Sequence, residues 1–260
     1  MNVIIFTAED IVSDNSETGL RIEFTDSRRL DHIHKILKSG KGDSLRVGQL
    51  NGNLGKGSIR EVTGSKVLLD VVLNETPPSP SPITLLLALP RPLVMRRILA
   101  DATSFGVKKI FLFHSERVEK SYWQSPVLEA DSINAQLVKG LEQGRDTEMP
   151  LVRKCPRFSA FLEDELAELM SGVDGPAYLG QPGAAQHLPG EIVAPTLVAI
   201  GPEGGLLGRE VDSFLDKGFL AVNFGSRLLR VETAVSAVLG RLSIPRSLSG
   251  DRDRSEVKTD

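Results

Sequence analysis

Cysteine is almost absent from this 260-residue sequence: Cys155 stands alone, so no disulfide within the chain can form and a reducing compartment is expected. Long hydrophobic runs are missing too. The longest, ITLLLAL at 83–89, is far too short to cross a bilayer. The N-terminus, MNVIIFTAED, carries no basic residue and reaches two acids by position 10, which argues against a secretory leader, so a cytoplasmic protein is expected. No G-x-G-x-x-G and no G-x-x-x-x-G-K-[ST] occurs, so hydride transfer on a dinucleotide fold and P-loop phosphoryl transfer lose support. The four histidines, His32, His34, His114 and His187, lack the spacing of a metal cluster, and no metal is expected.

An excess of positive charge is also lacking overall, since the formal net charge is −3. Its distribution is uneven. Residues 21–60 hold nine Lys and Arg against four Asp and Glu, a local balance of +5. Screening limits electrostatic reach to about 8–10 Å at physiological salt, so a local basic face binds phosphate even on an acidic protein. From charge alone, a merely solvated face is an equal reading.

Four prolines fall within six residues between Pro77 and Pro82, in NETPPSPSPI. Proline fixes φ and removes donors, so 76–82 reads as a stiff linker. Before it, frequent glycine and short β-rich runs such as SLRVGQL and KVLLDVVL predict a small β-barrel or sandwich over 1–75, with one helix near 27–38. After it, ITLLLAL and KKIFLFH read as parallel strands buried on both faces. Between them Met95, Ile98, Leu99 and Ala102 recur at helical spacing, and Gly106 suits the position after a helix end. Helices near 131–142, 159–171, 208–218 and 231–242, with strands at AYLG, TLVAIG and FLAVNFG, complete an α/β domain with a parallel sheet over 83–245. The tail, 246–260, has four basic and four acidic residues and almost nothing apolar, and is expected to be disordered.

Ligands of open α/β sheets sit beyond the carboxyl ends of strands. Two such ends are glycine-rich here, AIGPEGG and VNFGSRLLRVETA, and glycine lets backbone polar groups approach a ligand closely. Taken singly, each also reads as a tight turn on a stable sheet.

Taken together, IGPEGGLLGREV and VNFGSRLLRVETAVSAVL resemble the trefoil-knotted SPOUT class of RNA methyltransferases, specifically the RsmE-like family that methylates N3 of a uridine in 16S ribosomal RNA. DHIHKILKSGKGDSLRV looks like the family's PUA-like RNA-binding barrel. LALPRPLVMRRILADATSFGVKKIFLFHSERV and LEQGRDTEMP resemble the start of its catalytic domain, so the likeness runs to about residue 243. The resemblance implies a knotted C-terminal domain, an S-adenosylmethionine cofactor, a homodimer, and a 16S rRNA partner within the 30S subunit. It places one cofactor loop at Ile200, Gly201, Glu203, Gly204 and Gly205, a second at Asn223, Phe224 and Gly225, and a third at Leu228 and Leu229. Arg230 and Glu232 fall on the catalytic positions, and Arg28, Arg29, His32, Lys35, Lys38, Arg91 and Arg145 on RNA-contacting stretches.

The chemistry suits these residue types. Uridine N3–H is mostly protonated at neutral pH, so an arginine beside a base carbonyl favours the anion and a carboxylate accepts the proton or fixes the arginine. Their i,i+2 spacing puts one of the two in the turn before the helix. A pyrimidine carbon usually needs a cysteine nucleophile, so the scarcity of cysteine favours methylation at nitrogen or oxygen. Tyr122 and Trp123 read as stacking aromatics or, more simply, as rim packing. The chain departs from the family's pattern in having no basic residue before Arg21, in Ser104 and Phe105 before Gly106, and in Asp146 and Glu148 where bases are usual. Those changes bear on substrate more than on cofactor, and two other readings stay open: a SPOUT enzyme acting on another base or a ribose 2′-hydroxyl, and a non-catalytic RNA-binding protein.

Overall fold

The computed structural model describes residues 3–15, 19–190 and 194–243, and the 246–260 tail lies outside them. The N-terminal strands are β1 (Ile4–Phe6), β2 (Ile11–Asn15), β3 (Gly19–Phe24), β4 (Ser44–Gln49), β5 (Leu54–Val62) and β6 (Val67–Glu75). They form one sheet in the order β1-β4-β5-β6-β3-β2, antiparallel except for the β1–β4 pair. Along β5 and β6 buried and solvent-facing residues alternate, Ile59, Val67, Leu69 and Val71 pointing inward, as a half-buried pleat demands. Register shifts near Leu54 and Ile59 curl the sheet into a half-barrel. Among the described residues no pairing joins β2 to β1, so the ring stays open. The helix α1 (Ser27–Asp31), capped by Asp26 accepting from Arg29 N at 3.0 Å, continues as a π-helical turn over His32–Leu37 and presses Leu30 and Ile33 onto the sheet.

The second sheet contains β7 (Ile83–Ala88), β8 (Lys109–Phe113), β9 (Leu151–Cys155), β10 (Ala177–Gly180), β11 (Gln186–His187), β12 (Thr196–Ile200) and β13 (Leu220–Asn223). All pairings are parallel, in the order β11-β13-β10-β12-β7-β8-β9. Every residue of β7 and β12 is buried, which accounts for their unbroken apolar sequences. The helices are α2 (Pro92–Ser104), α3 (Ala130–Gly144), α4 (Phe158–Ala160), α5 (Leu166–Ser171), α6 (Gly208–Asp216) and α7 (Val231–Ser243), with a π-helical turn, Phe161–Glu165, joining α4 to α5. Helix α3 lies tightly against α2 because it carries glycine at the contact: a Cβ on Gly140 would sit 2.5 Å from the Ala100 carbonyl oxygen.

The segment between β6 and β7 is not the only connection between the sheets. Val3 N donates to the Glu142 carbonyl at 3.2 Å, and the Glu142 carboxylate, only 2% exposed, accepts from Arg28 at 2.7 and 3.1 Å. Asn51 N donates to the Thr147 carbonyl at 2.8 Å, while Val3, Ile5, Leu54 and Leu141 form a small apolar contact of their own. Asp146 takes part in this junction. Nearly buried, it pairs with Lys108 at 2.6 Å and accepts from Thr147 N and Glu148 N, so the acid that departs from the family pattern does structural work.

Candidate functional site

Strands β12, β10 and β13 lie side by side, with Gly180 in register with Ile200 and with Val222. Their exit loops therefore emerge together at the carboxyl edge of the sheet, and the loop entering α7 joins them. The result is a cavity of about 910 Å³. Ile200, Gly201, Glu203, Gly204 and Gly205 line one wall; Asn223, Phe224 and Gly225 line another; Leu228, Leu229, Arg230 and Glu232 line a third. Arg91 from the start of α2 reaches the same cavity.

Glycine is required here by geometry. Gly205 and Gly225 sit at φ +73° and +133°, where a side chain is strained. A Cβ on Gly180 would meet the Phe224 ring at 2.5 Å, so the bare strand end lets the ring lie across it. Asn223 fixes the second wall by donating from Nδ2 to the Ala184 carbonyl at 2.5 Å and accepting from Gly225 N at 3.2 Å. The Glu203 carboxylate accepts from Arg91 N at 3.2 Å and so ties its loop to the residue that leads into α2. Arg230 ends the loop, its carbonyl accepting from Ala234 N at 2.8 Å, and Glu232 falls in the first turn of α7. The 181–183 loop is a further wall that the sequence reading did not assign, although its signal, a glycine closing the strand AYLG, was present.

The basic residues divide. Lys35, Lys38, Arg91 and Arg145 are exposed, and among the described residues Lys35 makes an i,i+4 pair with Asp31 at the surface. Arg29 differs from expectation. Its guanidinium bonds Asp10 and Asp26, sits over the Phe24 ring at 4.3 Å and is 14% exposed, so its charge is consumed inside the half-barrel. Burial lowers the His32 pKa below the usual histidine value, which disfavours the cationic ring. Arg28 and His32, together with Lys35, Lys139 and Gln143, border a groove of about 550 Å³ where the half-barrel meets α3.

Trp123 and Tyr122 pack partly buried against the core, and Trp123 Nε1 donates to His114 Nδ1 at 3.0 Å. Among the described residues no His, Cys, Asp or Glu group is arranged to hold a metal, and no helix is long and apolar enough to cross a membrane. Cys155 is buried outside the cavity, and burial, aided by the Glu165 carboxylate, pushes its thiol up to about 11. At pH 8 the folded protein should therefore react with a disulfide reagent such as DTNB about 100-fold more slowly than the chain unfolded in guanidinium. Equal rates would show the thiol to be accessible.

Comparison with known proteins agrees with this geometry. A family model described as an RNA methyltransferase domain matches residues 77–243. The ribosomal RNA small subunit methyltransferase E of Treponema pallidum is 32% identical over 246 residues, covering 91% of this chain and 88% of the relative. That of Synechocystis is 28% identical, covering 83% and 70%. A crystal structure of the Neisseria gonorrhoeae ribosomal RNA small subunit methyltransferase E bound to S-adenosyl methionine shares the fold, with a TM-score of 0.67 at 20% identity, covering 92% of this chain and 95% of that one. A putative methyltransferase of Legionella pneumophila in complex with the same cofactor gives a TM-score of 0.68 at 20% identity over 92% and 96%.

Proposed function

This chain belongs to the RNA methyltransferase family, and from that premise we propose that it transfers a methyl group from S-adenosylmethionine to N3 of a uridine in the 16S RNA of the small ribosomal subunit. The observation that supports this most is the convergence of the three loops, 200–205, 223–225 and 228–232, on one cavity. Its size falls in the range of small-molecule sites. Its walls combine apolar Ile200, Leu206 and Phe224 with the bare main chain of six glycines, 180, 183, 201, 204, 205 and 225, which suits an adenosyl group and its ribose hydroxyls. When bound, the cofactor supplies an electrophilic methyl group on a cationic sulfur.

The chain's own residues supply the rest. Arg230, at the mouth of the helix, holds a uracil carbonyl oxygen and stabilises the anion left when N3 loses its proton. Glu232 accepts that proton, directly or through one water, or holds the arginine in place. Confinement against Phe224 and the glycine walls orients nitrogen and methyl for in-line transfer. Exposed Lys35, Lys38, Arg91 and Arg145 attract the RNA backbone, with the groove beside Lys139 as its track between the two sheets.

The same reading includes a homodimer. Leu228, 82% exposed in the third loop, is a large apolar side chain left open to solvent at the cavity, as expected of a site that a second copy closes. The trefoil knot, the 30S particle as substrate and a cytoplasmic location belong to it as well. The test is incubation of the purified protein with methyl-labelled S-adenosylmethionine and small subunits lacking the modification. Label in the RNA supports transfer; cofactor binding with no label in any ribosomal RNA favours the non-catalytic RNA-binding reading instead.

A further inference from the structure

We propose that Arg117 and Glu210, which lie outside the three loops, act as positioning residues that clamp the Gly201–Leu207 loop into its cofactor-binding shape; this rests on the cofactor reading above. The loop leaves β12, yet what holds it comes from the exit of β8, two strands away in the sheet. Arg117 Nη1 donates to the Gly204 carbonyl at 2.5 Å. Among the described residues no carboxylate pairs with Arg117, and the Gly204 carbonyl is the polar group its guanidinium bonds.

The arginine stem lies flat on the loop. A Cβ on Gly204 would be 3.3 Å from Arg117 Cδ and 3.4 Å from its Cβ. Glycine at 204 thus leaves room for the arginine, a reason for it distinct from the cofactor. Glu210, 4% exposed in the first turn of α6, closes the other end. One carboxylate oxygen accepts from Leu207 N and the other from Glu116 N, both at 2.8 Å. Two main-chain donors on a buried carboxylate make strong, directional bonds. The segment Glu116–Arg117 is therefore tied to the loop at two points, to Gly204 at its middle by the arginine side chain and to Leu207 at its end through Glu210. A loop rich in glycine has the most conformational freedom to lose, and a clamp built before ligand arrives removes that cost from binding.

Three variants test this: Arg117→Ala, Arg117→Lys and Glu210→Gln. Hydrogen–deuterium exchange over 201–210 without ligand reads the loop, and calorimetric titration with S-adenosylhomocysteine reads binding. Arg117→Ala is expected to speed exchange at Gly204–Leu207 and weaken S-adenosylhomocysteine about tenfold, the scale of one charged hydrogen bond. The KM for S-adenosylmethionine should rise in step while the KM for RNA and the melting temperature stay close to wild type. Arg117→Lys, keeping one donor, should recover most of the loss. Glu210→Gln replaces one acceptor by an amide N–H₂ facing a backbone N–H and should loosen the same amides; if it fails to fold, the exposed Arg117 still decides. Wild-type exchange and affinity in Arg117→Ala would overturn the clamp. Should the wild-type chain itself not bind S-adenosylhomocysteine, the cofactor reading falls, and unchanged or faster exchange in Arg117→Ala then rejects or upholds the clamp by itself.

Discussion

Arg230→Ala is expected to lower kcat for methyl transfer by about 10²–10³-fold while leaving the affinity for S-adenosylhomocysteine within about twofold. The magnitude is that of removing one pre-organised donor from a site where negative charge develops. The variant should fold normally, because Arg230 is exposed and its structural contribution is a backbone carbonyl that accepts from Ala234 N at 2.8 Å, which alanine keeps. Arg230→Lys should recover only part of the rate, since an ammonium lacks the planar fork that addresses a carbonyl oxygen. A kcat within threefold of wild type, measured with saturating cofactor and RNA, would remove Arg230 from the reaction.

The second large effect is on stability. Phe214→Ala should reduce the free energy of unfolding by about 3–5 kcal/mol, as a lower urea midpoint with an unchanged slope. Phe214 is fully buried on α6, with ring centroids 5.6 Å from Phe113, 6.1 Å from Phe158, 6.3 Å from Phe161 and 5.1 Å from Phe219. Removing it empties the centre of an aromatic group that the surrounding strand and helices can only partly collapse. Because α6 also carries Glu210, the variant ties core packing to loop geometry: cofactor affinity should fall with stability. A loss below about 1 kcal/mol would mean that this core repacks freely.

Much of the fold could be read from sequence where burial leaves a pattern. The apolar runs ITLLLA and TLVAI are the two central strands β7 and β12, and the spacing of Met95, Ile98, Leu99 and Ala102 marks the face of α2 that is buried. Gly106 follows that helix at φ +81°, as a helix-ending glycine should. Strands interrupted by glycine or lying at an edge leave a weaker pattern. β5, LGKGSIREV, is broken up by glycines that other strands require: Gly57, for one, faces the Leu69 side chain where a Cβ would be 2.8 Å away. β9, LVRKC, closes one edge of the parallel sheet and is mostly exposed, so it lacks the apolar run of its neighbours.

The glycine-rich strand ends mark where a ligand could sit, and the roles given to Arg230 and Glu232 rest on the family resemblance; the assembly of the site leaves no such trace. That β10 inserts between β12 and β13, bringing three loops together, is a long-range pairing with no local sequence signal. The fate of charged residues is similarly non-local. Arg29 looks no different from Lys35 in a basic segment, yet Asp10, Asp26 and Phe24 draw it inside the half-barrel. Arg117 and Glu210 lie within stretches that carry the resemblance, yet nothing in their local spacing assigns them a role. Their role follows only from the closeness of the β8 exit to the loop after β12.

Methyl transfer to uridine N3 is decided by the identity of the methylated nucleoside. RNA from small subunits lacking the modification, treated with the protein and S-adenosylmethionine, would be digested to nucleosides and analysed by mass spectrometry. The expected product is 3-methyluridine, formed about 10²–10³-fold more slowly when Arg230→Ala replaces the wild type. A 2′-O-methylated nucleoside, or a methyl group on any other base, would contradict it.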